Sequence, residues 1–189
     1  MWLVCTVAAV AAASAGATIY YEEQFEGSFP PAGWAYSGSG VGSATWSRQA
    51  GPWDYYLSAG IAIAGGQNYT VYITGPYAAV PASTTLYIRF DYMVSNSGAY
   101  GTASAQVERP PGITLANFAL TDPTGWKALS EPFDTSTYTS VRVAYHLNGH
   151  ANVWPTGYSG MGLDRIYISD SPAMAVAPVS LGRVRALFK

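Results

Sequence analysis

The feature that most constrains this chain is an alternation of apolar and polar residues with period two, repeated along most of its length. Leu86, Ile88, Phe90, Tyr92 and Val94 share one parity, while Tyr87, Arg89, Asp91 and Met93 share the other. Val141, Val143, Tyr145 and Leu147 alternate with Arg142, Ala144 and His146. Ala103, Ala105 and Val107 alternate with Thr102, Ser104, Gln106 and Glu108, and Tyr69, Val71 and Ile73 with Thr70, Tyr72 and Thr74. In a strand successive side chains point to opposite faces, so each run reads as a half-buried strand bounded by Gly, Pro, Asn or Ser. Several short strands at this spacing, with almost no helical period, indicate an antiparallel β-sandwich.

Length and charge narrow the function. The 189 residues suit one domain with a substantial core. A net charge of -2 with only 11% charged residues offers no footprint for nucleic acid. The 15 Tyr and 20 Gly fit an extracellular β-protein, where Tyr packs its ring and wets its hydroxyl. Trp2 to Ala17 is an apolar, Ala-rich run with small-residue cleavage sites at Ala13-Ser14-Ala15 and Ala15-Gly16-Ala17. It reads as a signal peptide over residues 1–17 and is too short to span a bilayer comfortably. Cys5, the only cysteine, lies inside it, so a mature chain would have no disulfide.

The sandwich is expected over 18–169. Within it, Ser37 to Ala44 reads as a Gly/Ser loop, and Pro110-Pro111-Gly112 as a break. Residues 170–179 read as a Ser/Pro/Ala linker. Residues 180–189 read as a short basic amphipathic tail: Ser180 caps it, Leu181, Val184, Leu187 and Phe188 line one side, and Arg183, Arg185 and Lys189 carry its charge.

Two separated signatures carry a family resemblance. Phe25-Glu26-Gly27-Ser28-Phe29-Pro30-Pro31-Ala32-Gly33-Trp34 opens the domain, and Leu163-Asp164-Arg165-Ile166-Tyr167-Ile168 closes it. With Trp46, Thr74-Gly75-Pro76, Trp126 and Phe133-Asp134-Thr135-Ser136 between them, they resemble secreted bacterial jelly-roll modules of the MAM-like, cleaved-adhesin and choice-of-anchor J type. The resemblance implies a non-catalytic jelly roll used for adhesion, glycan binding or protein binding. It also implies a structural calcium ion held by Glu26 and Asp164. The chain departs from the pattern where the loop before Trp46 lacks Asp residues, and where Arg165 replaces the second Asp of the closing motif.

The residues speak to the same site. Asp164 has the parity of Ile166 and Ile168; if those face the core, so does its carboxylate, which then needs a cation or several hydrogen bonds. An oxygen-rich set favours calcium, and a carboxylate capping a turn is the alternative. His146 and His150 lie four apart in a strand and its following turn, which separates them and favours surface roles over zinc. No hydrolase motif is present, and Asp54, Asp91, Glu108 and Glu131 lie in none. Trp53, Tyr55 and Tyr56 in one expected loop, and Trp154 and Tyr158 in another, are candidates for stacking on sugar rings; core packing is the competing role. The resulting expectation is a secreted binding or adhesion module for a glycan or a cell-surface protein. A self-associating subunit of a surface layer or filament is the alternative, and a glycan-active hydrolase the third.

Overall fold

The computed structural model describes residues 17–52, 54–97, 99–121, 125–151 and 156–172. They form β1 (Ile19–Glu23), β2 (Ala35–Gly40), β3 (Gly42–Ala50), β4 (Tyr55–Ala64), β5 (Asn68–Thr74), β6 (Ala78–Ala79), β7 (Thr85–Ser97), β8 (Ala99–Arg109), β9 (Ile113–Leu120), β10 (Lys127–Asp134), β11 (Ser140–Ala151) and β12 (Thr156–Ser169). No helix occurs among the described residues. The expected signal peptide, apart from Ala17, and the amphipathic tail lie outside them.

The strands build two antiparallel six-stranded sheets. Sheet I runs β10-β7-β12-β4-β3, with β1 added beside β12. Sheet II runs β2-β5-β11-β8-β9, with β6 added beside β11. The alternating runs supply the inner faces. Leu86, Ile88 and Phe90 from β7 are fully buried against Val141, Val143, Tyr145 and Leu147 from β11. Burying such side chains is the dominant favourable contribution to folding, and both sheets deliver theirs to one contiguous core.

The opening signature closes this core. Phe25 and Trp34 are 1% and 7% exposed. Their rings meet edge to face at 5.3 Å, and Trp34 stacks on Tyr145 at 6.5 Å. Trp34 Nε1 donates to Tyr21 Oη at 3.0 Å, which satisfies its only side-chain donor. Phe25 adopts φ 57, uncommon for a bulky residue, and its N–H donates to Glu23 Oε1 at 2.7 Å.

Four expectations need correction. Ser37–Ala44 is not a loop: β2 and β3 occupy it, with Val41 alone between them. Gly40 makes that tight reversal possible. Its φ is 124, and a Cβ there would stand 2.3 Å from the Asn68 carbonyl oxygen. Tyr55 and Tyr56 begin β4, and Tyr158 lies in β12, so none of the three is in a loop. Asp164 faces away from the core. The register of β12 with β7 shifts between Asp164 and Tyr167, and Arg165 takes φ 48. This β-bulge inserts a residue, so Leu163 and Ile166 both point inward while Asp164 stands on the outer face opposite Asp91.

Candidate functional site

The outer face of sheet II carries the polar parity of its strands. Register sets the rows. Arg142 lies opposite Glu108, Ala144 is flanked by Thr74 and Gln106, His146 by Tyr72 and Ser104, and Asn148 by Thr70 and Thr102. Gln106 in turn faces Asn117. Alternation along β11 thus converts a one-dimensional pattern into a two-dimensional polar surface. From Arg142 to His150 it extends roughly 27 Å at about 3.4 Å per residue.

A buried ion pair anchors one end. Glu108 is only 2% exposed. Its Oε2 accepts from Arg142 Nε at 2.8 Å, and Nη2 lies 2.7 Å from the same oxygen. Tyr72 Oη donates to Glu108 Oε1 and accepts from Arg142 Nη2 at 3.4 Å. The Arg142 guanidinium also lies 4.9 Å from the centre of the Tyr77 ring, which is 40% exposed. These contacts fix the fork and the two rings in place while cancelling charge within the site. Burial, together with the Glu108 hydrogen bond, pushes the Tyr72 phenol up to about 12, so it remains a neutral donor.

The centre of the face holds an unmet hydrogen-bonding group. The His146 ring packs against Tyr72 with centroids 4.4 Å apart. Its Nε2 is buried and has no hydrogen-bond partner among the described residues. Burial lowers the His146 pKa and Glu108 opposes that shift, so the neutral ring presents one donor and one acceptor. On one side, Gln106 Nε2 donates to Asn117 Oδ1 at 3.1 Å, and Gln106 Oε1 accepts from Thr114 Oγ1 at 3.1 Å. On the other, the face deepens into a depression of about 380 Å3 lined by Asn68, Thr70, Thr102, Asn148 and His150. His150 Nδ1 lies 2.8 Å from Asn68 Oδ1. The whole is a fixed array of amides, hydroxyls and imidazoles beside two aromatic rings.

The sequence-derived aromatic set is dispersed. Trp53 and Trp154 lie outside the described residues. Tyr55 is 40% exposed and sits under the Arg48 guanidinium, 4.4 Å from its ring centre. Tyr56 and Tyr158 share the outer face of sheet I, about 20 Å apart by register. Tyr56 packs edge to face on Trp126 at 5.0 Å, both rings lying over Gly162, which leaves them the room. Tyr158, 56% exposed, borders a depression of about 440 Å3 with Ser43, Thr45, Ser95 and Asn96. Sheet II's face was missed because Tyr72, Tyr77, Gln106, Glu108, Asn117 and Arg142 are scattered in sequence. Their polar parity was the available signal.

Glu26 and Asp164 do come near each other. Asp164 is 4% exposed, and its pKa rises to about 6. Burial is the main cause; the Arg165 backbone N–H and guanidinium oppose it, while Asp91 and Glu26 reinforce it. Among the described residues, no three His, Cys, Asp or Glu side chains converge as a metal-ligand group.

No family model matches the chain, and no curated protein matches it in sequence. Its fold is similar to that of a solved structure described as "CBM4 structure and function", with TM-score 0.50 and 16% identity over 75% of this chain and 96% of that one. It is also similar to the family 11 carbohydrate-binding module of the cellulosomal cellulase Lic26A-Cel5E of Clostridium thermocellum, with TM-score 0.48 and 14% identity over 82% of this chain and 95% of that one. A third likeness is to a carbohydrate-binding module from Cellvibrio mixtus lichenase 5A in complex with cellotriose, with TM-score 0.48 and 16% identity over 82% and 99% of the respective chains. At such identities the first likeness shows the fold: an all-β jelly-roll sandwich.

Proposed function

We propose that the chain is a non-catalytic glycan-binding module whose site is the outer face of sheet II. The observation that carries this reading is the Tyr77 ring, 40% exposed, standing beside the hydrogen-bonded Arg142–Glu108–Tyr72 network on a polar sheet face. Groups already held in place by such a network lose little freedom when a ligand binds, which favours affinity. Tyr72 and Tyr77 supply ring faces for a pyranose, and Gln106, Asn117, Asn148 and Arg142 supply donors and acceptors around it. The similarity in fold to carbohydrate-binding modules supports the reading without assigning a ligand. The MAM-like and anchor-type relationship, and secretion, are finer proposals that rest on the two sequence signatures and the apolar run of residues 1–17. No helix among the described residues is long and apolar enough to cross a membrane.

A glycan array followed by calorimetry tests this. Wild-type chain binds a defined oligosaccharide, and Tyr72→Ala and Tyr77→Ala each weaken it about tenfold, the equivalent of about 1.4 kcal/mol. A folded monomer that binds no glycan ends the reading. A second reading, a self-associating or protein-binding subunit, is favoured by the outer face of sheet I. There Gly60 and Gly160 pair directly and Tyr158 stands exposed. Tyr158→Ala then reduces association on a sizing column and leaves glycan affinity unchanged.

A further inference from the structure

We propose that Arg165 is the resident cation of an acidic junction formed by Glu26, Asp91 and Asp164, and that this junction closes without a divalent metal. The junction lies where β12 changes partners: Leu163 and earlier residues pair with β4, while Ile166 and later residues pair with β1. Asp91 and Asp164 stand directly opposite each other on adjacent strands, both 4% exposed. Like charges in that position are destabilising. The bulge brings its own remedy. Its inserted residue donates its backbone N–H to Asp164 Oδ1 at 2.7 Å, and the same residue's Nε donates to Asp91 Oδ2. Arg165 therefore engages both carboxylates at once.

Arg48 holds the neighbouring turn through its main-chain carbonyls. Its Nη1 donates to the carbonyl oxygen of Glu26 at 3.3 Å and to that of Gly27. Glu26 Oε1 accepts from the Tyr55 N–H at 3.3 Å. A calcium ion takes six to eight oxygens, carboxylate and carbonyl among them, at about 2.3–2.6 Å. Here one oxygen of each carboxylate, and both carbonyls, already accept from a donor of the chain itself. The residues do not fit a calcium cage; they fit the Arg165 guanidinium and two backbone N–H donors, with Arg48 on the carbonyls. The inference is independent of the glycan reading, since the junction lies on sheet I.

Thermal melting of the full chain in chelator and in excess calcium chloride tests it, together with metal analysis after dialysis. The expected result is one melting temperature in both buffers and no stoichiometric calcium. Arg165→Gln melts several degrees lower, and Asp91→Asn combined with Arg165→Gln regains part of the loss, because the like-charge pair is gone. A wild-type melting temperature that falls in chelator and returns with calcium overturns the proposal. So does an Arg165→Gln variant as stable as wild type. If Arg165→Gln does not fold, the wild-type melts and metal analysis decide alone.

Discussion

Tyr145 carries a hydroxyl into the centre of the core, where it has no partner among the described residues. Its ring is well used, edge to face with Phe90 at 5.3 Å and stacked on Trp34. The hydroxyl is not, and burial raises its pKa well above the ordinary phenol value. Removing an unsatisfied buried group while keeping the ring is neutral or favourable. Tyr145→Phe therefore leaves chemical-denaturation stability unchanged or raises it by about 1 kcal/mol; a loss of similar size refutes the assignment. His146 gives a second residue-scale prediction. Burial depresses its folded pKa, so the unfolded chain binds the proton more readily. Its contribution is full above the unfolded value of about 6.5 and is lost as pH falls from there through the depressed folded value. Glu108, which favours the charged ring, opposes this, and Tyr72 stays neutral against it. Melting temperature compared between wild type and His146→Gln should diverge as pH falls below about 6.5, with wild type losing more. The comparison cancels Asp164, whose raised pKa acts in the opposite direction.

At the scale of the element, turns and bulges decide what alternation cannot. The β2–β3 reversal packs Gly40 against the Asn68 carbonyl, and Val41 N–H donates to that same oxygen at 3.1 Å. Gly40→Ala combines a strained φ with a backbone clash and should cost about 2 kcal/mol or more in denaturant unfolding. An unchanged midpoint would show that the reversal relaxes freely. Ser37–Ala44 looked like a loop because Gly and Ser are weak strand formers; pairing with β5 and β4 overrode that preference. The bulge in β12 misled for a related reason. Parity counted from Ile166 and Ile168 placed Asp164 inward, and a single inserted residue reversed it. Nothing local in Leu163-Asp164-Arg165-Ile166 marks that insertion, since Arg165 is not a residue that favours the left-handed region.

At the scale of the whole molecule, one indole ties the two sheets together. Trp34 connects Tyr21 of β1 in sheet I to Tyr145 of β11 in sheet II, with Phe25 against its edge. Trp34→Ala removes all three contacts and should cost about 3–5 kcal/mol, with both sheets unfolding in one transition. Two separate transitions would show that the sheets are held together elsewhere. The two faces also divide the molecule's roles: sheet II presents the polar array around His146, and sheet I presents glycines, serines and Tyr158.

The all-β class and the inner parity of β5, β7, β8 and β11 were legible in the sequence. They depend on short-range periodicity and on large apolar side chains, which have one good place to go. The same parity exposed Tyr72, Gln106, Glu108, Arg142 and His146 as a polar set. It could not say that Arg142 pairs with Glu108, 34 positions away, or that Tyr72 stands beside His146. Strand order and register made those neighbours. Both follow from how two sheets bury their apolar faces against each other, a long-range choice that no local pattern encodes.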